Sequence, residues 1–217
     1  MPRISTKIAE ISRKLPDGVR LVAVSKFHPL PSLLEAYGAG QRLFGESRAD
    51  ELVAKAAAMP ADVEWHFIGH LQTNKVRRVV VCASVIESID SLRLLQAVSA
   101  EAVKAGRTVR VLLQVHVAAE ETKTGFEPEQ LVEAAAIGRD LPGIEIAGVM
   151  GMATNTDDAG RIAADFDAIA RVAERVRLLV PGAREISMGM SGDWPLAVAR
   201  GATLVRIGSD IFGPREY

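Results

Sequence analysis

Lys26 closes the apolar run Leu21-Val22-Ala23-Val24-Ser25 and is followed at once by Phe27-His28-Pro29. An uninterrupted Val/Leu/Ala run of that length reads as a strand buried on both faces, and a lysine at its end emerges where parallel α/β folds place their ligands. Burial and neighbouring cations can lower a lysine's pKa until its neutral amine attacks a carbonyl to form a Schiff base, a role that arginine cannot fill. A solvated lysine just beyond a strand is the plainer reading of the same position. Towards the other terminus, Ser187-Met188-Gly189-Met190-Ser191-Gly192-Asp193 and Ile207-Gly208-Ser209-Asp210 offer glycines, hydroxyls and backbone amides suited to an anion. Ser191 and Asp193 also start helices for local hydrogen-bond reasons alone.

The elements that must position these residues follow from hydrophobic periodicity. Residues 1–15 carry Ile4, Ile8, Ile11 and Leu15 at helical spacing, with Lys7, Glu10, Arg13 and Lys14 between them. Strand-like runs then lie near 19–26, 42–46, 64–69, 85–89, 109–117, 144–152, 184–189 and 203–208. Helix patterns at 30–40, 48–59, 72–82, 91–106, 128–140, 157–180 and 193–201 fall between them. The clearest helix has Ile162, Phe166, Ile169, Ala173 and Val176 on one face; the least clear is 72–82, whose Val-rich end also reads as a strand. Eight strands alternating with helices on 217 residues predict an α/β (β/α)8 TIM barrel with an extra N-terminal helix, one domain over 1–217.

Closure of such a barrel makes strand eight the neighbour of strand one, about 4.8 Å away. Alternation puts Val22, Val24 and Lys26 on one face of strand one, and Leu204, Arg206 and Gly208 on one face of strand eight. A ligand whose phosphate rests on the loops after strands seven and eight then presents a carbonyl to Lys26, a geometry that describes pyridoxal 5'-phosphate (PLP). Arg206, if it meets the pyridine nitrogen, only donates hydrogen bonds, so the ring stays unprotonated and is a poor electron sink. The alternative for Arg206 is a structural ion pair with a nearby carboxylate or phosphate.

Several segments carry a resemblance that runs over nearly the whole chain. They are Val22-Ala23-Val24-Ser25-Lys26, Phe44-Gly45-Glu46-Ser47, the stretch from Trp65 to Lys75, Gly148-Val149-Met150-Gly151-Met152, Ser187-Met188-Gly189-Met190-Ser191, and the stretch from Val205 to Gly213. Together they resemble the pyridoxal phosphate homeostasis protein family, which shares the barrel of alanine racemase without its second domain. The resemblance implies that Lys26 bears the cofactor as a Schiff base, that Arg206 faces its ring nitrogen, and that Ser191, Gly192, Gly208 and Ser209 surround its phosphate. Ser47 and His116 stand where family members often have Asn, and Ser209 where they often have Thr. Ser47 is thus expected near the ring with a shorter side chain, leaving room for a water.

Composition limits the alternatives. A formal net charge of −1 without a basic stripe or polybasic patch argues against nucleic acid and anionic membrane as partners. The single cysteine, Cys82, rules out an internal disulfide framework, and four scattered histidines with it supply no zinc cluster, so no metal is expected. Without the apolar block of a secretory signal or a span-length segment, the cytoplasm is the expected compartment. His116, alternating with Gln114 on an apolar strand, reads as a satisfied structural histidine at the barrel mouth, and residues 120–125, with Lys123, as a mobile charged loop that closes over the cofactor, touches a partner or stays solvated.

The resemblance implies a non-catalytic protein that holds PLP and exchanges it with the cell's pool or with PLP-dependent apoenzymes, and a monomer is expected. A weak racemase is the enzyme alternative, with Cys82, His66 or a second subunit as the other base. Tyr37, in a helix, and Tyr217, at the terminus, are poorly placed for that task. A Schiff-base aldolase using Lys26 directly on a sugar phosphate is the third reading.

Overall fold

The computed structural model describes residues 3–120 and 122–214. Met1 of the expected first helix, Glu121 of the strand-five loop and Tyr217 lie outside the described residues. The chain opens with α1 (Ile4–Ser12), which buries Ile8 and Ile11, and then alternates strand and helix. The first half runs β1 (Arg20–Val24), α2 (Leu30–Gly38), β2 (Leu43–Glu46), α3 (Ala49–Ala58), β3 (Glu64–Phe67), α4 (Val76–Cys82) and β4 (Val85–Ile89). The second runs α5 (Leu92–Lys104), β5 (Val109–Val115), α6 (Pro128–Gly138), β6 (Ile144–Gly151), α7 (Ala159–Leu179), β7 (Glu185–Ser187), α8 (Trp194–Val198), β8 (Leu204–Ile207) and α9 (Ser209–Phe212).

All eight strands are parallel to their neighbours, and β8 returns to β1 to close the barrel. Strand apolarity on both faces is what such a sheet demands, because helices cover its outside and side chains fill its inside. The outer core lies between strands and helices. There α7 contributes Phe166, Ile169, Ala173 and Val176, with Ile162 partly buried against them, and Asp158 caps its start by accepting from the Gly160 and Arg161 amides. The inner core is a smaller apolar layer of Val22, Val85, Leu112, Ala147, Met150 and Leu204. In the ambiguous segment, a 3-10 turn at Thr73–Lys75 leads into α4, whose buried Val76, Val79 and Val80 follow the helical i, i+3, i+4 rhythm. The short α9 is the one helix that periodicity did not anticipate, being a single turn after β8.

Two polar sets share the barrel interior with the apolar layer. Arg20, Arg110 and Glu185, near the amino ends of their strands, form an ion cluster in which Glu185 Oε1 accepts from both arginines. Further up the strands stand His66, Glu87, Ser187 and Arg206, all buried. Gly148 permits the shift of register between β5 and β6, since a Cβ there would lie 1.9 Å from the Glu185 carbonyl oxygen.

Candidate functional site

The register of β1 on β8 pairs Val22 with Arg206, so the next inward positions are Val24 and Gly208, and Lys26 follows in the turn above. β1 ends at Val24, two residues before Lys26, and Phe27 takes a left-handed backbone with φ of 67°. A non-glycine residue there is strained by about 1–3 kcal/mol. The turn that carries Lys26 is held in place by Glu46, Glu51 and Lys55 from the following strand and helix.

At the carboxyl ends of β1, β7 and β8 lies a cavity of about 260 Å³. Lys26, Ser191, Gly192, Arg206, Gly208 and Ser209 all line it. The apolar part of the wall comes from Val24, Ile68, Met150, Met152 and Met190, with His28 and Gly213 completing it. His28 stacks on Phe212 of α9, with ring centroids 5.0 Å apart. Of the residues expected around a cofactor, Ser47 is not brought to this wall. It lies in a neighbouring depression with Arg48, His70, Gln72 and Lys75. β2 stops at Glu46, and Ser47 already belongs to the turn into α3, with its backbone packed against Gly69, where a Cβ would lie 2.2 Å from the Ser47 carbonyl oxygen.

Beyond β7, Gly189 adopts φ of 92°, and a Cβ there would meet Ala197 at 2.7 Å. The following turn is closed by Asp193, whose Oδ1 accepts from the Met190 amide. Asp193 therefore folds the loop back and does not cap α8 through its side chain. Among the described residues, the backbone amides of Ser191 and Gly192 donate to no protein acceptor. Gly208 approaches β1 closely, since a Cβ there would lie 3.2 Å from the Val24 carbonyl oxygen. Small residues and unclaimed donors together make a wall that an anionic group can approach.

The floor is set by Arg206. Its Nη1 donates to Ser187 Oγ at 2.6 Å and its Nη2 to the Gly151 carbonyl at 3.0 Å. Ser187 Oγ in turn donates to Glu87 Oε2 at 2.5 Å, and Glu87 Oε1 faces His66 Nδ1 at 2.6 Å. Burial works to raise the Glu87 pKa, but His66, Arg206 and Ser187 outweigh it and hold the carboxyl below its ordinary value. The buried Nε2 of His66 has no partner among the described residues. Burial pulls the Arg206 guanidinium down while Glu87 and Asp193 hold it up, so it stays a cation. Arg206 pairs with Glu87 across 3.8 Å, as the ion-pair reading expects, and it also lines the cavity.

Sequence reasoning missed Glu87 and the part played by Ser187. The signal was present as parity, because Val85 and Glu87 share a strand face and a carboxylate at an inward position of an apolar run needs buried partners. Other candidates stand apart from the cavity. Cys82 packs half-buried on α4, and burial pushes its thiol up. Tyr37 donates to Asp62 on the surface, and His116 faces the Glu120 carbonyl through Nε2 at 3.0 Å. In the loop expected to be mobile, Lys123 Nζ donates to Glu120 at 2.9 Å and to the Ala153 carbonyl at 2.8 Å, and the Asn155 amide donates to Glu120 at 2.8 Å. Among the described residues, no group of three or more His, Cys, Asp or Glu could hold a metal ion, and no helix is long and apolar enough to cross a membrane.

The donor set fits PLP: an amine, a guanidinium, hydroxyls with small residues for a phosphate, and an apolar wall for a ring. Comparison with known proteins agrees with that chemistry. Residues 1–216 match the family described as "Alanine racemase, N-terminal domain". The chain is 35% identical over 209 residues to the pyridoxal phosphate homeostasis protein of Vibrio alginolyticus, covering 94% of this chain and 90% of the relative. To the human protein of the same name it is 35% identical over 230 residues, covering 99% and 84%. Its structure superposes on PipY of Synechococcus elongatus PCC7942 solved with PLP bound, with TM-score 0.91, 38% identity and coverage of 97% and 100%. Alanine racemase of Clostridium difficile shares the fold at TM-score 0.81 and 14% identity, and this chain spans 58% of it. The chain belongs to the pyridoxal phosphate homeostasis protein family, built on the alanine racemase N-terminal barrel.

Proposed function

We propose that this protein binds PLP without catalysing a reaction on it, and serves intracellular vitamin B6 homeostasis. Lys26 holds the cofactor's carbonyl carbon as a Schiff base, Ser191, Gly192, Gly208 and Ser209 receive its phosphate, and Arg206 donates to its ring nitrogen. Bound PLP supplies an aldehyde that amines can capture. The single observation that carries this reading is the convergence of Lys26, Arg206 and the two glycine-serine turns on one cavity. Arg206 is fixed from behind by Ser187 and Glu87, so it approaches a ligand only as a donor and leaves a ring nitrogen unprotonated. That restraint suits storage. Ser47 lines a separate depression and takes no direct part in this reading. We further propose that the protein works as a monomer in the cytoplasm and yields its PLP to PLP-dependent apoenzymes; the lone cysteine suits a reducing compartment.

A racemase needs two bases on opposite ring faces. Of the described lining residues, Lys26, His28 and Arg206 are the ionisable ones, and His28 shares the loop that carries Lys26. The test is the absorption spectrum of purified protein beside Lys26→Ala. The wild type should absorb at about 420 nm when loaded, and borohydride should fix the cofactor's mass on Lys26; the variant should do neither. A variant that keeps the band would overturn the anchor. Exchange of an amino acid α-proton in deuterated water would favour the racemase.

A further inference from the structure

We propose that Glu51 and Lys55 of α3, working with Glu46 at the end of β2, are positioning residues that aim Lys26 into the cavity. The chain must pass from β1 to α2 across residues 25–29, and it does so through the left-handed backbone of Phe27. A non-glycine residue keeps that conformation only where its surroundings impose it. The restraint comes from outside the barrel. The Phe27 amide donates to Glu51 Oε2 at 3.0 Å, which locks the residue after Lys26. The residue before it is held twice, because Ser25 Oγ donates to Glu46 Oε1 at 2.6 Å and the Ser25 carbonyl accepts from Lys55 Nζ at 2.9 Å. Lys55 joins both halves: its ammonium also reaches Glu46 Oε1 at 2.8 Å and Glu51 Oε2 at 3.2 Å, so all three of its hydrogens are engaged.

The clamp is internal. Glu46 is fully buried and the Lys55 side chain is only 11% exposed, so these contacts are poorly screened. Burial tends to raise the Glu51 pKa, but the Phe27 amide and Lys55 outweigh it, leaving an ionised acceptor at neutral pH. On the outer side, the Arg48 guanidinium lies over the Phe27 ring, 4.8 Å from its centroid. Glu46, Glu51 and Lys55 do not line the cavity, and the contacts described above fall on Ser25 and Phe27, on either side of Lys26. A regular βα turn would leave a lysine two residues past a strand free to point along the barrel rim. Here the lysine's own Cα is fixed by groups on its neighbours.

This inference rests on the reading of Lys26 as the cofactor anchor, and its test separates the two. Glu51→Ala removes the acceptor for Phe27 at a partly exposed site, while Glu51→Gln keeps an oxygen there. In cofactor-free protein, Glu51→Ala should speed hydrogen exchange at the Phe27 amide by about tenfold, the scale of one lost hydrogen bond to a charged group. The dissociation constant for PLP should rise by about tenfold as well, with little change in thermal midpoint. Glu51→Gln should recover most of both. Unchanged Phe27 exchange in Glu51→Ala would overturn the clamp, as would weakened binding that merely follows a fall in thermal stability. If the wild type itself bound no PLP, the functional reading would fail, and Phe27 exchange alone would support or overturn the clamp.

Discussion

Arg20, Arg110 and Glu185 at the amino end of the barrel, and Arg206, Ser187, Glu87 and His66 towards its carboxyl end, are both ionic sets inside the ring of strands, yet they differ sharply in burial. The Arg20 and Arg110 side chains keep 40% and 36% of their exposure. In the upper set Glu87, His66 and Ser187 are completely buried and Arg206 is 5% exposed. A half-exposed ion cluster closes the floor at little desolvation cost and contributes little net stability. Burying a carboxylate and a guanidinium costs far more than apolar packing would, so the upper set is poorly explained as a stabilising device. Its geometry explains it better: each member fixes the next, ending in a cation that faces the cavity. The contrast teaches that similar residues in one barrel divide into closure and site according to how deeply they are buried.

That contrast can be broken by substitution. Glu87→Leu should have the largest effect, about 3–5 kcal/mol in urea unfolding, because it leaves the buried Arg206 guanidinium without its counter-charge. Ser187→Ala should cost about 1–3 kcal/mol, since it removes both the acceptor for Arg206 and the donor to Glu87. It should also weaken PLP binding in a spectroscopic titration, because Arg206 loses its backing. Arg20→Met, in the lower set, should cost less than about 1 kcal/mol and leave PLP binding unchanged. Equal losses from Glu87→Leu and Arg20→Met would remove burial as the dividing principle.

The smallest effect belongs to a pair outside the ring. The Asn155 amide, and after it Lys123, hold the Glu120 carboxyl down at about 2, against an ordinary 4.5. A depressed folded pKa stabilises above the ordinary value and loses that contribution as pH falls through the folded one. The difference in thermal midpoint between the wild type and Glu120→Gln should therefore be steady above pH 4.5 and shrink between 4.5 and about 2. A difference independent of pH in that window would show that Glu120 does not tie the loops after β5 and β6 together through its charge.

Legibility in the sequence followed the range of each interaction. The eight strands stood out as β-branched runs, although their ends were drawn one or two residues too long; β1 stops at Val24 and β7 spans only Glu185–Ser187. The face of α7 was readable because helical spacing is local. Lys26, Arg206 and the glycine-serine turns were readable because each has a chemistry unusual for its position. Ser47 was expected near the ring from the resemblance alone, and its place in the turn after β2, outside the cavity wall, depends on where that strand ends. The charges of Lys123 and Glu120 were legible, but not that both bond to the loop after β6, a pairing set by how the two loops pack.

By itself, then, the order of residues determined the rhythm of strand and helix, the count of eight strands that a closed barrel needs and the side chains able to meet a phosphate and a carbonyl, since these depend on spacing and on side-chain chemistry. Only the tertiary structure decided the company they keep: Glu87 behind Arg206, Glu51 and Lys55 around the Lys26 turn, Ser47 outside the cavity wall. Those pairings join residues on different strands and helices, and they depend on barrel register and on where each strand ends. A period of two along a strand specifies neither.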